Sequence, residues 1–505
     1  MSLALVDSDS AKQKMMEAFL TICAFLSYDR VTERIFDYIS RDAGQNFEQD
    51  FNWLQLFGAR EESLYDSYEF HELVSSLQEL SLVLSTGPFD DGIISLHPLV
   101  ADWLKVRLSK PDRQQYTLRA VQIVQNVFEA TVRGSTDSHY GYDFDMQAEL
   151  RVDMVAHMQS CESNIKVNFP ESEQLGVGQF QEAGKWFARF YETQGHFSHT
   201  ATLRRRLYDT RLRSDGPRDL LTLKAGMNLA RAYSHQGNYV MAEELMRRIL
   251  VLQKDVLGGE HPLTLAGTTQ LATVLFHQER FEESEDLGTR VLDAKQAALG
   301  HDNPSTLASL NSLAWTIHRQ GKLEEAEKLT RQALLSRRRV LGDWHEDTLQ
   351  SANTLVVNLN SLGRFEEAEK LARETLASRE NLLGEIHPRT ITSLYNLALT
   401  LESQGRLEMA EELTRKVLKR RREVLGSPYH PDILSTMEHL IALLKKEKKD
   451  EEADELRIEA NELTTRYESD CGSCRWGGGA GRAGPELLEP FGQCAQRPRS
   501  YRRWR

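Results

Sequence analysis

A repeat with a fixed period of 42 residues constrains this chain more than any other feature. The pair Leu-Gly recurs at Leu257-Gly258, Leu299-Gly300, Leu341-Gly342, Leu383-Gly384 and Leu425-Gly426, each step being 42 residues. A second series, Gly195, Gly237, Gly321, Gly363 and Gly405, keeps the same spacing, with Glu279 in the one position that lacks glycine. One inserted residue in SPYHP moves the last equivalent to Lys448. Self-similarity of this kind implies stacked copies of one small unit, because a single copy cannot hide its own apolar face.

Each unit, as in STLASLNSLAWTIHRQGKLEEAEKLTRQALLSRRRVLG, carries apolar residues at three- and four-residue spacing on both sides of a glycine turn, which predicts a helix hairpin. The first helix offers Leu313 and Ala314, the second Leu323, Ala326 and Leu329, and equivalents recur along the chain. Ala326, Ala368 and Ala410 supply the small side chain that a close helix crossing needs; Ser284 replaces it once, with nearly the same size. Between hairpins, strings such as GGEHPLT and GEIHPRT put glycine just past one helix, and Thr264, Thr306, Thr348 and Thr390 are expected to help begin the next. His261, His345, His387 and His430 follow the repeat and read as caps or interhelical hydrogen-bonding groups, not metal ligands. The runs EEAEK and RRRVLG match the helix dipole and are expected on a solvated outer face.

LNSLAWTIHRQGKLEEAEKLTRQAL at 310–334 and YNLALTLESQGRLEMAEELTRKVL at 395–418, each followed by Leu-Gly, resemble the tetratricopeptide repeat in its 42-residue, kinesin-light-chain-like form. The fold class expected is all-α: a right-handed helical-repeat solenoid over 181–468, with about seven units, the five between 217 and 426 being the clearest. The first unit is degenerate, anchored by Trp186, Phe190, Tyr191 and Gly195, and the last is polar at its turn. In such a stack the first helices line a concave groove. Asn228, Gln270, Asn311, Asn353 and Asn396 lie at equivalent or adjacent positions there. An amide offers both a donor and an acceptor, so these residues suit a clamp on an extended peptide, as the resemblance implies, and equally suit bonds between neighbouring hairpins. Trp315, Arg319 and Arg231 add aromatic and cationic contacts beside them.

Residues 1–110 follow a different rhythm, with FHELVSSLQELSLVL patterned as a helix from Phe70 to Leu84 and a short extended piece at Ile93 to Leu96. With His97, Pro98, Leu99, Val100, Asp102 and Trp103 after that piece, the segment resembles the winged-helix region of fungal NB-ARC/STAND signalling ATPases. That resemblance implies a vestigial nucleotide contact for His97 and a nucleotide-binding module as partner in a longer assembly; a purely structural histidine is the other reading. A phosphate-cradling loop is not found, since GVGQFQEAGKW lacks both the glycine spacing and the hydroxyl residue such a loop needs. Residues 111–180 read as a helical connector ending in a loop, QSCESNIKVNFPESEQLGVGQ, and residues 469–505 as a flexible basic tail containing a lone CGSC.

Composition narrows the function. A net charge of −13, and no Lys or Arg in the helix that a winged-helix domain would present to DNA, argue against nucleic acid as partner. Five scattered cysteines and no signal-like amino terminus point to a reducing, cytoplasmic setting without a membrane span. No nucleophile, base and orienting acid come together, so no enzyme activity, cofactor or metal is expected. The expected function is a protein-interaction scaffold holding a peptide or protein ligand. A sensor fragment of a STAND-type ATPase and a kinesin-light-chain-like cargo adaptor are the alternatives.

Overall fold

The computed structural model describes residues 10–32, 35, 74–79, 81–85, 93–133, 143–144, 148–169, 178–425 and 430–471. They belong to two compact units, residues 1–210 and residues 211–505. The expected tail beyond Cys471, with Cys474 and Cys494, lies outside the described residues, as does Gly426.

In the first unit, α1 (Ser10–Phe25) precedes β1 (Val31–Thr32), a helical stretch at 74–79, β2 (Val83–Ser85) and β3 (Ile93–Leu96). The strands form an antiparallel sheet in the order β1-β3-β2, with Val31 opposite Ile94 and Val83 opposite Leu96. The extended piece at Ile93 is therefore present, but the helix expected to reach Leu84 is not. Ser81 adopts φ 56°, a left-handed turn, and the chain leaves it as β2 with Val83 buried. The apolar run LVL is too short to fix a helix period, and pairing with β3 decides its state. Next come α2 (Pro98–Val106), α3 (Lys110–Thr131), the short ladder of β4 (Val132–Arg133) with β5 (Asp143–Phe144), and α4 (Ala148–Asn168). A 3-10 turn (Gly178–Phe180), α5 (Gln181–Thr193) and α6 (Phe197–Ser214) follow.

The stretch QSCESNIKVN, read as loop, is the second half of α4. Cys161 and Ile165 are buried one turn apart. Polar residues next to them bind the end of α1: Ser160 Oγ donates to Leu26 O at 2.7 Å and Asn164 Nδ2 to Phe25 O at 2.8 Å. Carbonyls left over at a helix C-terminus are thus satisfied by side chains whose polarity looked like loop chemistry. Phe190 and Tyr191, expected anchors of the degenerate hairpin, are fully buried in this unit's core, where the Phe190 ring lies 4.7 Å from that of Phe128.

The second unit is a right-handed stack of helix hairpins, and six are seen among the described residues. Their first (A) helices are α7 (Leu220–His235), α9 (Pro262–His277), α11 (Pro304–Arg319), α13 (Glu346–Ser361), α15 (Pro388–Ser403) and α17 (Pro431–Lys446). The second (B) helices are α8 (Tyr239–Leu257), α10 (Phe281–Leu299), α12 (Leu323–Leu341), α14 (Phe365–Leu383), α16 (Leu407–Val424) and α18 (Asp450–Cys471). Ala326, Ala368 and Ala410 are completely buried at the A–B crossing, and Ser284 keeps its hydroxyl satisfied by donating to Ala272 O at 2.9 Å.

Backbone geometry explains both glycine series. The turn position takes positive φ at Gly237, Gly321, Gly363 and Gly405, and Glu279 and Lys448 adopt it too, at φ 60° and 62°. The Leu-Gly glycines are more demanding: Gly342 has φ 89° and ψ 165°, a region that essentially only glycine visits. The histidines are helix caps. Nδ1 of His261, His345, His387 and His430 accepts the backbone N–H two residues on, at 3.1 to 3.2 Å, and Asp219 and Asn303 do the same for α7 and α11. The threonine series has a different task from the one expected. Thr264 and Thr348 donate back to Gly258 O at 2.9 Å and Gly342 O at 2.8 Å, tying each A helix to the end of the preceding B helix.

Two ladders of charge stitch successive hairpins. In the first, Lys295, Arg337, Arg379 and Arg421 are buried, not solvated, so RRRVLG is misread as an outer face at its first arginine. Each reaches the next A helix. Arg337 Nη1 donates to Asp347 O and Ser351 Oγ, both at 2.7 Å, and Arg379 Nη1 to Arg389 O and Ser393 Oγ, both at 3.0 Å. In the first seam Gln253 and Gly267 replace the base and hydroxyl together, and a Cβ on Gly267 would lie 2.6 Å from Gln253 Oε1. In the second ladder, a B-helix glutamate binds the basic residue just past the next hairpin's turn: Glu243 with Arg280 at 2.8 Å, Glu285 with Lys322 at 3.1 Å, Glu327 with Arg364 at 3.4 Å, Glu369 with Arg406 at 3.0 Å, and Glu411 with Lys449 at 2.5 Å. Burial raises the Glu411 carboxyl, but bonds from Lys449 and Arg415 outweigh it and hold the group at about 2.

Candidate functional site: the inner face of the first A helices

The A helices are the inner helices of the solenoid, and what they offer to solvent changes along the stack. On α7, α9 and α11 one band stays reachable: Asn228, Arg231 and Gln270 are half-buried, Thr273 and Ser312 exposed, Trp315 half-buried and Arg319 exposed. Farther along, the band narrows on α13 and α15 to its last row, where Ser361 and Ser403 are exposed, and on α17 Glu438 and Ala442 are exposed again. Every residue from Ser351 to Leu359 on α13, and from Ser393 to Glu402 on α15, is buried.

The expected amides divide accordingly. Asn228, Gln270 and Asn396 occupy one row of the repeat, with Ser312 and Thr354 between them, whereas Asn311 and Asn353 sit one residue earlier. Gln270 Nε2 donates to Met227 O at 2.8 Å, Asn311 Nδ2 to Thr354 Oγ1 at 3.4 Å and Asn353 Nδ2 to Ser393 Oγ at 3.0 Å, so these three tie neighbouring A helices together. Oδ1 of Asn311 and of Asn396 is buried without a hydrogen-bond partner among the described residues. Sequence position alone could not separate the two groups, since adjacent rows differ by about 100° around a helix.

Trp315 and Arg319 are held by their neighbours. The indole stacks on the His318 ring at 5.2 Å, nearly parallel, and the Arg319 guanidinium lies 5.5 Å from the Phe276 ring and 5.6 Å from the Phe281 ring of the preceding hairpin. A guanidinium poised over two rings keeps its donors directed outward at low entropic cost. Beside it, His277 stacks on Tyr239 at 5.5 Å; burial, helped by His235 and Arg319, lowers its pKa to about 3 and keeps it neutral. The band is therefore an aromatic and cationic strip flanked by hydroxyls and amides. Thr273 and Ser312 escaped the sequence reading; the signal for both was their place in the rows of Trp315 and Gln270.

His97 belongs elsewhere. Its Nδ1 accepts the Leu99 N–H at 3.2 Å as the N-cap of α2, the same His-Pro start that opens α9 and α15. Among the described residues there is no group of three or more His, Cys, Asp or Glu arranged to hold a metal, and no helix long and apolar enough to cross a membrane.

Stacked two-helix units at a fixed period, closed by left-handed turns and seam ladders, define an all-α, right-handed helical-repeat solenoid. Residues 222–263 match one family model described as tetratricopeptide repeat, and 264–339, 316–381 and 347–423 match a second of the same description. Residues 222–423 thus form a tetratricopeptide-repeat solenoid. No curated protein matches the chain. Among solved structures, it is similar to a putative kinesin light chain with nearly identical TPR-like repeats from Podosopora anserina, at 27% identity over 41% of this chain and 96% of that one, TM-score 0.35. BtubC (BKLC) from P. vanneervenii is similar at 20% identity over 46% of this chain and 90% of that one, TM-score 0.36. A signal transduction ATPase with a tetratricopeptide repeat sensor from Pyrococcus horikoshii is similar at 13% identity over 91% of this chain and 64% of that one, TM-score 0.39.

Proposed function

We propose that this chain is a non-catalytic scaffold that binds an extended peptide or protein segment along the inner face of its repeat tract, 181–468, and that α7, α9 and α11 carry the contact. The observation that supports this is the reachable strip on those three helices, where Trp315 and Arg319 are held ready by stacking, against the buried stretches 351–359 of α13 and 393–402 of α15. Asn228, Thr273 and Ser312 supply hydrogen bonds to the ligand's backbone. Gln270, Asn311 and Asn353 set the spacing of the helices behind it, Asn396 lies buried outside the contact, and His97 acts as a cap with no part in binding nucleotide.

A displayed peptide library tests this reading. W315A and R319E should each remove binding of the selected peptides with helicity unchanged, and selected peptides that bind both variants as well as the original chain defeat it. Whether the scaffold serves as a kinesin-light-chain-like cargo adaptor or as the sensor of a STAND-type assembly is a matter of its partners; saturable ATP or ADP binding by the chain would favour the second.

A further inference from the structure

Lys295, Arg337, Arg379 and Arg421 occupy one place in successive B helices, and all are buried. A buried cation must lose its charge or meet an opposite charge or a ring face, because a desolvated, uncompensated charge is among the costliest arrangements a fold can contain. Three of these residues have such a solution. Lys295 donates to Ser309 Oγ at 2.8 Å, and burial lowers its pKa toward the neutral amine, a route open to lysine and closed to arginine. Arg379 meets the Glu346 carboxylate at 2.5 Å. The Arg421 guanidinium lies 5.1 Å from the Tyr395 ring. Arg337 has none of these. It is 0% exposed, its Nη1 donates to the neutral Asp347 O and Ser351 Oγ, and its Nε and Nη2 have no hydrogen-bond partner among the described residues. Arg379 Nη2 shows where the missing charge belongs, since it bonds Glu346 Oε1 and Gln350 Oε1 on the A helix of its own hairpin. The same places on α11 are Pro304 and Ala308, a ring with no polar side-chain atom and a side chain that ends at Cβ, and the equivalent of Tyr395 is Asn311.

We infer that Arg337 binds a small monovalent anion such as chloride, between its Nη2 and the first turns of α11, at the place the Glu346 carboxylate holds one repeat farther on. Charge and size set the class. One uncompensated positive charge calls for one negative charge, and a place that two oxygens, Glu346 Oε1 and Gln350 Oε1, fill beside Arg379 suits a halide better than a tetrahedral dianion. A water molecule would satisfy Nη2 but leave the charge uncompensated, and would make the seam indifferent to the anion. Because Arg337 is closed to solvent, the ion enters only when the seam opens, and its binding holds the seam shut. Without the ion, the bonds to Asp347 O and Ser351 Oγ are the whole of this link. The cohesion of α11, α12 and α13 is thus set in part by the anion concentration of the solution.

Native-state hydrogen exchange of the full chain tests this, with sodium chloride replacing sodium gluconate at constant ionic strength, since gluconate is too large to enter. Protection of the amides of α11, α12 and α13 should rise with chloride, approaching about tenfold for each tenfold increase above the dissociation constant. Arg337→Met should flatten that dependence. Should Arg337→Met fail to fold, P304E/A308Q carries the test, because it gives Arg337 the carboxylate and amide that Arg379 already has. This variant should be better protected than the original chain in gluconate and indifferent to chloride. An original chain whose protection ignores chloride overturns the inference. So does a chloride response of equal size in Arg337→Met or in P304E/A308Q.

Discussion

Arg379 and Arg337 occupy the same place one repeat apart, both with no exposed surface, yet their surroundings predict unequal worth. Arg379 Nη2 meets Glu346 Oε1 at 2.5 Å and Gln350 Oε1 at 3.1 Å, in addition to its bonds to Arg389 O and Ser393 Oγ. One repeat earlier, Pro304 and Ala308 stand where Glu346 and Gln350 would be, and Nε and Nη2 of Arg337 are buried without a hydrogen-bond partner among the described residues. Replacing Arg379 by methionine removes four charge-assisted bonds from the α13–α15 seam, leaving Glu346 to Arg389 at 3.2 Å and Ser393 to Asn353 at 3.0 Å, for a loss of about 3 kcal/mol. Replacing Arg337 the same way loses only two bonds and releases a desolvated Nη2 group, unpartnered here but bonded in Arg379, at about 1–3 kcal/mol, while the unpartnered Nε is common to both, so the net loss should be about 1 kcal/mol. Because a repeat stack need not unfold in one step, the measurement is native-state hydrogen exchange of the amides flanking each seam. Arg379→Met should lower protection far more around α15 than Arg337→Met does around α13. Equal losses, or a larger one for Arg337→Met, would show that the carboxylate partner is not what sets the difference.

Two further outcomes follow from residues already placed. Glu279 holds a left-handed turn that costs a side-chain-bearing residue about 1–2 kcal/mol, so Glu279→Gly should raise the melting temperature even after glycine's entropic cost of about 0.5–1 kcal/mol. An unchanged or lower melting temperature would mean the turn is unstrained. His277 has its folded pKa lowered to about 3 by burial, with His235 and Arg319 adding to the effect, against about 6.5 in the unfolded chain. Below the unfolded value the open chain takes up a proton that the fold refuses. The contribution is therefore complete above about 6.5 and is lost as pH falls toward the folded value. His277→Phe, which keeps the ring on Tyr239, should flatten stability against pH in that window, and an unaltered slope in thermal melts contradicts the assignment.

Most of the hairpin tract was legible in the sequence because its determinants are local. A 42-residue period, glycines at two turn positions and apolar stripes at helical spacing each act within one unit. What stayed hidden acts between units. Arg337 looked like one of three surface arginines, and only comparison across repeats exposes its link to a hydroxyl 14 residues on, as in Arg337 with Ser351 and Arg379 with Ser393. The joint change to Gln253 and Gly267 was the clearest hint, since both ends of the link disappear together. β2 was hidden because strand pairing, not the pattern of LVL, decides it. For the proposed groove, spacing puts amides on the inner helices, but whether a row faces solvent or a neighbouring helix depends on how far successive hairpins are rotated.

The seams also bear on how such a chain can change length. Every ladder link before the last seam, where the offset is one residue longer, joins a residue of one unit to a residue of the next at a constant offset, so removing residues 301–342 would bring Glu285 opposite Arg364 and Lys295 opposite Ser351, each an acid–base or base–hydroxyl match of the kind already present. Units between the second seam and the last are therefore interchangeable parts, open to unequal crossing-over without loss of fit. The Gln253–Gly267 seam is keyed differently. A recombination that parted those two residues would set glutamine against serine, or lysine or arginine against a bare glycine, so gain and loss of units should be tolerated downstream of it and penalised across it.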